Sequence, residues 1–464
     1  MRRLLIGSLG SMFALAVGCT DDPAPTDAST PDVVTLDVAA DVGATDVGRP
    51  DAGAADVPSV DVQSALDVVD APTAVDVADS GASGDRPSDA SDGGAACALT
   101  RALVTTSDYV NGGFGLGPIS PTPMLTVSGV MSPDQDHVPV ESGCVVYDLL
   151  RGNDTLAVLD PAGLPAIARR IPLRMMGTAG VDAGAPSPYS VNPYDVLTLS
   201  PTRAVVVQYA LPRLGIVNPS LDGAAGVIGS VDLSPLRAAA DTDGSLEASN
   251  IVRVGGSIFV SLQNLNSFVA VTAGSLAVLD AAALTLVDAD PSTTGVQPLL
   301  LTGRNPVSMV TTPAGTSIVV AEAGVVTFSA PQALDGRIER VDPATLRALG
   351  AGVSEASLGG DVGSIVMLDE SRGWAVVTRL AVGDASVGDN RVVEFNLTTG
   401  VVGATVLTTG SVGGLARDPN GNVWVLDRTA GSAGVRVYRP DGTSLTTMVL
   451  PTGPQPPYGV AFVP

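Results

Sequence analysis

The chain predicts an all-β fold built from repeated four-stranded antiparallel sheets, and three observations carry that prediction. First, an apolar strand, a tight turn and a second Val-rich strand recur at residues 195–207, 307–320, 364–377 and 414–425. Second, a third strand ending in a turn carboxylate or amide follows, at residues 154–160, 274–280, 336–342, 390–396 and 435–442. Third, the ends complement each other: residues 457–464 read as a first strand with no partner after it, and 101–109 as a second strand with nothing before it.

Each element has a local reason. Pro and Gly between the paired strands make hairpins, because Pro presets the first central φ and Gly accepts positive φ. A fourth strand follows the third, as at 444–450 in the last unit. Units start near residues 136, 194, 250, 305, 363 and 412, a spacing of roughly 45–60 residues that fits propeller blades and is too short for an immunoglobulin array. Six units plus one made from the joined ends give a seven-bladed β-propeller over 98–464, and pairing the two ends removes exposed sheet edges.

What precedes it is different. Of the net charge of −24, residues 20–97 supply 17 Asp against two Arg, with no aromatic residue and neither helical nor strand periodicity. Such a stretch cannot bury enough apolar surface to offset chain entropy, and residues 19–97 are expected to be a disordered tether with a span of roughly 50 Å or more. The chain has 24 basic residues, all Arg, and its acidic excess argues against nucleic acid or anionic lipid headgroups as partners.

At the N-terminus, Arg2 and Arg3 precede the apolar run 4–17 and the sequence Leu15-Ala16-Val17-Gly18-Cys19, which has the layout of a signal peptide over 1–18. The ending resembles the bacterial lipobox, with Leu15 one place earlier than that pattern prefers. The resemblance implies lipidation of Cys19, membrane anchoring by its acyl chains, and, from Thr20 rather than Asp after the Cys, an outer-membrane lipoprotein facing the periplasm or the cell surface. Cys97 and Cys144 remain; in an exported protein they are expected to form a disulfide, with two buried thiols as the alternative.

Residues 413–427 and Tyr458-Gly459-Val460-Ala461 resemble NHL-type and YncE-like propellers. The resemblance covers the propeller as architecture and implies no activity, because propellers host binding and catalysis alike.

Candidate chemistry is sparse. His137 is the only histidine, so a His-rich metal centre is excluded; set in a polar turn without a Gly-x-Ser-x-Gly elbow, it is expected at the surface. Two Trp cannot supply the repeated Trp motifs of quinone-cofactor propellers. Asp241, Asp243 and Glu247 alternate oxygen ligands in the manner of a calcium loop but lack its twelve-residue spacing, so a structural turn is the alternative. Arg169, Arg170 and Arg174 form a basic spot or a solvated strand end. No catalytic residue and no cofactor is predicted, calcium being the one possibility. The expectation is a monomeric, lipid-anchored binding or interaction module with a protein or carbohydrate ligand at one face of the ring. The alternative is a calcium- or magnesium-dependent lactonase-like hydrolase resembling the gluconolactonase type.

Overall fold

The structure, a computed structural model, describes residues 97–464 apart from 176–189, 267–268, 327–330, 351 and 382–383. Cys19, the signal segment and the tether lie outside the described residues.

Seven antiparallel sheets form seven blades. Blade 1 runs from the inside out as Pro457–Val463, Arg101–Ser107, Gly112–Pro118 and Thr126–Met131. Blade 2 is His137–Ser142, Val145–Leu150, Thr155–Leu159 and Ile167–Pro172, and blade 3 is Pro193–Ser200, Arg203–Gln208, Arg213–Val217 and Val227–Asp232. Blade 4 is Ala248–Val254, Ser257–Leu262, Ser275–Asp280 and Leu299–Leu300. Blade 5 is Pro306–Thr311, Ile318–Glu322, Arg337–Asp342 and Arg347–Ala348, with Val353–Ser354 also on its third strand. Blade 6 is Asp361–Met367, Arg372–Ala381, Asp384–Asn396 and Val401–Thr409; blade 7 is Val412–Arg417, Val423–Asp427 and Gly434–Tyr438. The expected fourth strand of blade 7 is reduced to isolated bridges, Val435 to Leu450 and Tyr438 to Ser444. Pro451 and Gly453 follow it, and the chain leaves the sheet to reach blade 1.

The ring closes as the two chain ends predict. Arg101 pairs with Val463 and Thr105 with Gly459, and the Arg101 Nε donates to the Pro464 carbonyl at 2.7 Å. Each first strand touches the first strand of the next blade, around to blade 1.

Blades are buried on both faces, which explains the continuous apolar runs. In the second strand of blade 3, Val205 and Val207 pack with blade 4, while Ala204 and Val206 pack with blade 2. Period-two alternation thus feeds two cores from one strand. First strands also present unpaired N–H groups toward the ring axis, and the preceding blade covers some of them. Ser142 Oγ accepts from Thr198 N at 2.9 Å, Asp195 Oδ2 from Ile251 N at 3.0 Å, Ser308 Oγ from Ile365 N at 3.3 Å and Ser364 Oγ from Leu415 N at 3.0 Å.

His137 is not at the surface. It is fully buried in the first strand of blade 2. Its Nδ1 lies 3.1 Å from both Asp148 oxygens and its Nε2 3.3 Å from the Thr106 carbonyl. Both nitrogens face acceptors, an arrangement that favours the imidazolium form. Burial pushes its pKa down, but the Asp148 carboxylate and the Thr106 carbonyl outweigh this and raise it above the ordinary value. The polar run before His137 is a turn, whereas the histidine itself pairs with Leu150 in the sheet. Gly112 leaves the space, since a Cβ there would lie 2.8 Å from Nε2. Cys97 and Cys144 form a disulfide, Cα–Cα 5.7 Å, joining the entry of the chain to the first hairpin of blade 2.

Candidate ligand-binding face

Loops converge at the end of the ring where first strands begin and second strands finish. In blades 7, 1, 2 and 3 this end carries an arc of aromatic and guanidinium groups. Arg428, just past the second strand of blade 7, sits 5.3 Å from the ring centroids of both Tyr109 and Tyr458, and those rings meet edge to face at 5.7 Å. Tyr458 donates its hydroxyl to Asp136 at 3.0 Å, and Asp136 pairs with Arg151 at 3.7 Å. The Arg151 guanidinium lies 4.2 Å over Tyr194, Tyr194 stacks on Tyr209 at 4.9 Å, and Tyr209 donates to Gln263 of blade 4 at 3.0 Å. Tyr109, Tyr194, Tyr209 and Arg428 are half-buried, while Arg151 and Tyr458 are buried beneath them.

The local sequence explains this placement. Tyr194 and Tyr458 each follow a proline that opens a first strand, and both sit where the register shifts against the second strand. A bulge there re-aims the side chain. Tyr109, with φ of 63°, and Tyr209 follow the second strands of their blades.

In blades 4 to 6 the same end carries carboxyl groups turned back onto the loops. Glu247 Oε2 accepts from Leu265 N at 2.8 Å. Glu322 accepts from Gly303 N at 3.1 Å, and Glu339 from Thr302 N at 2.8 Å and its hydroxyl at 2.6 Å. Glu355 accepts from Gly336 N at 2.8 Å and Val362 N at 2.7 Å. Burial raises the pKa values of Glu247, Glu322 and Glu355. Glu247 is pushed up to about 7, and Glu322, with Glu339 beside it adding repulsion, to about 10. Burial lifts Glu355 to about 9 and Asp361 to about 6, the neighbouring Asp361 and Asp335 carboxylates adding to the respective shifts. Asn192, Glu247 and Asn305 occupy the same left-handed turn before the first strands of blades 3, 4 and 5, with φ of 48°, 43° and 54°.

The structure brings Asp241, Asp243 and Glu247 into one loop between blades 3 and 4, where burial and the nearby Asp243 raise the pKa of Asp241, and burial with both aspartates raises that of Glu247. Asp243 caps Ser245 N at 3.0 Å, a turn contact. Among the described residues, no group of three or more His, Cys, Asp or Glu side chains is placed to hold a metal ion. Arg169 donates to the Pro219 carbonyl at 2.7 Å and Arg174 pairs with Asp154, while Arg170 is exposed. They form no common site. A separate cavity of about 340 Å³ between blades 1 and 2, lined by Phe114, Val130, Met131, Pro133 and Arg170, offers one polar side chain.

Sequence reasoning missed the arc, although a signal was present. Two of the three Pro-Tyr pairs in the sequence, 193–194 and 457–458, stand at blade starts in a chain with only seven Tyr.

No protein-family profile and no curated protein matches the chain. Solved structures similar to it include a Bacteroides fragilis protein assigned only provisionally as a 6-phosphogluconolactonase, 13% identical over 79% of this chain and 98% of that one, TM-score 0.49. Streptogramin B lyase is 13% identical over 70% of this chain and 89% of that one, TM-score 0.44. Kuenenia stuttgartiensis hydrazine synthase is 14% identical over 68% and 79%, TM-score 0.47. At such identities no activity transfers, and the seven blades rest on the strand pairing itself.

Proposed function

We propose that this protein is a binding module, lipid-anchored through Cys19 at the cell envelope, whose ligand sits on the aromatic and arginine arc. The observation that supports this reading is the grouping of half-buried Tyr109, Tyr194, Tyr209 and Arg428 on one end of the ring. Half-buried rings beside polar groups held in place suit recognition. The carboxylates of the same end accept loop N–H groups, which favours a structural duty for them.

A screen of the full chain against immobilised polysaccharides and envelope proteins tests the reading, with a Tyr194→Ala/Tyr209→Ala variant alongside. A partner held by the wild type and lost by the variant supports it; binding that ignores the double substitution sinks it. For the anchor, palmitate label should disappear in Cys19→Ser, and retained label would refute lipidation.

The hydrolase reading rests on one observation, the equivalent turns of Asn192, Glu247 and Asn305, which aim oxygen-bearing residues from three consecutive blades at this end. Lactone turnover that requires calcium or magnesium and is lost in Glu247→Gln would displace the binding reading.

A further inference from the structure

We infer that the ligand of this face carries an anionic group, carboxylate or phosphate, seated against Arg428 with its body over Tyr109; this rests on the arc being the binding face. Of the charged groups that make up the arc, Asp136 and Arg151 are matched and Arg428 is not. Asp136 is paired with Arg151 and accepts the Tyr458 hydroxyl. Asp427 is paired with Arg436 at 2.8 Å and accepts Thr429 N at 3.0 Å. Asp108, next to Tyr109, is exposed and turned onto Val110 N and Asn111 N at 2.9 and 2.6 Å. Arg428 has no carboxylate partner among the described residues. One of its terminal nitrogens donates to the Tyr109 hydroxyl at 3.2 Å, and its Nε is buried with no acceptor.

Among the described residues several arginines of the propeller lack a carboxylate partner within 4 Å, but of these Arg428 is the one set against two tyrosine rings. Its geometry is also fixed. Two tyrosine rings flank it, and Gly413 in the first strand of blade 7 leaves room for its stem, since a Cβ there would lie 2.7 Å from Arg428 Cδ. A guanidinium held between rings loses little freedom on meeting an anion and presents its donors as a planar fork. Across the face, Glu322 and Glu355 keep their protons at neutral pH and add no repulsion toward an anion.

Three probes of one shape test the charge: benzoate, phenyl phosphate and neutral benzyl alcohol, titrated into the full chain and followed by ligand-observed NMR. The expected result is binding of one or both anions at least about tenfold tighter than benzyl alcohol, the scale of one charge-assisted hydrogen bond. Arg428→Gln should erase that preference with the fold retained by circular dichroism, and Gly413→Ala should reduce it. If the carboxylate probe alone or the phosphate probe alone shows the preference, the ligand's anion is of that kind. Equal binding of all three, no binding of any, or a preference that survives Arg428→Gln overturns the inference. Tyr209→Ala separates the two levels: where it weakens benzyl alcohol as well, the face still binds ligands even if the anion seat fails.

Discussion

The two halves of the loop-bearing end use the same backbone positions for opposite purposes. In blades 7 to 3 the residues flanking the first and second strands are Arg428, Tyr109, Tyr458, Arg151, Tyr194 and Tyr209, and their side chains pack on one another, Arg151 and Tyr458 buried and the other four half-buried. In blades 4 to 6 the corresponding region carries Glu247, Glu322, Glu355 and Asp361, buried and mostly turned onto backbone N–H groups. A repeat that closes its own loops with carboxylates in one sector is free to present aromatic surface in the other. The difference also separates the halves electrically, because burial keeps protons on Glu322 and Glu355 where the arginines hold charge.

The largest expected effect breaks the support of the arc side. His137→Ala leaves Asp148 buried without its imidazolium and should cost about 3–5 kcal/mol in denaturant unfolding; a loss below about 1 kcal/mol would mean that the pair is not an ion pair. Next comes the acid side. Glu247, Glu322 and Glu355 have folded pKa values near 7, 10 and 9 against ordinary values of 4.5. The folded state therefore holds protons that the unfolded chain releases, and stability falls as pH rises from about 4.5 through these values. His137, raised above 6.5, acts in the same direction, its contribution being complete below that value and lost through its folded pKa. Thermal midpoints should decline from pH 5 to 9, and Glu322→Gln should flatten the decline by about 1–2 kcal/mol. A midpoint that rises with pH contradicts the protonated acid sector.

A smaller effect belongs to the stack: Tyr194→Ala and Tyr209→Ala in a double-mutant cycle should show coupling of about 0.5–1.5 kcal/mol, and additive losses would mean that the rings do not support each other. The smallest lies outside both halves. Burial works against ionisation of Asp369, but the Arg372 side chain and loop N–H groups hold it at about 2, below the ordinary 3.8. Its stabilisation is present above 3.8 and lost as pH falls through 2. Both side chains are about half exposed, so Asp369→Asn should cost under about 1 kcal/mol, measured at pH 7 against pH 2.5.

Much of the fold was legible because blades are local. Hairpin turns, third strands and the complementary ends at 101–109 and 457–464 are all written in nearby residues. His137 was misjudged because its partners, Asp148 and the Thr106 carbonyl, arrive from another strand and another blade. The faint fourth strand of blade 7 was overcalled because the pattern at 444–450 is apolar enough, while the chain there must already turn toward blade 1. The arc escaped for a related reason. Its six residues are far apart in sequence, and only the Pro-Tyr pairs hint at them.

The sequence by itself determined the blade repeat, the site of closure and the division of charge between the leading segment and the folded part. These follow from hydrophobic period, turn chemistry and counting, which act over a few residues. Which side chains meet on one face was decided by the tertiary structure, because winding seven blades around one axis brings residues such as Arg428 and Tyr109 together across 319 positions of chain.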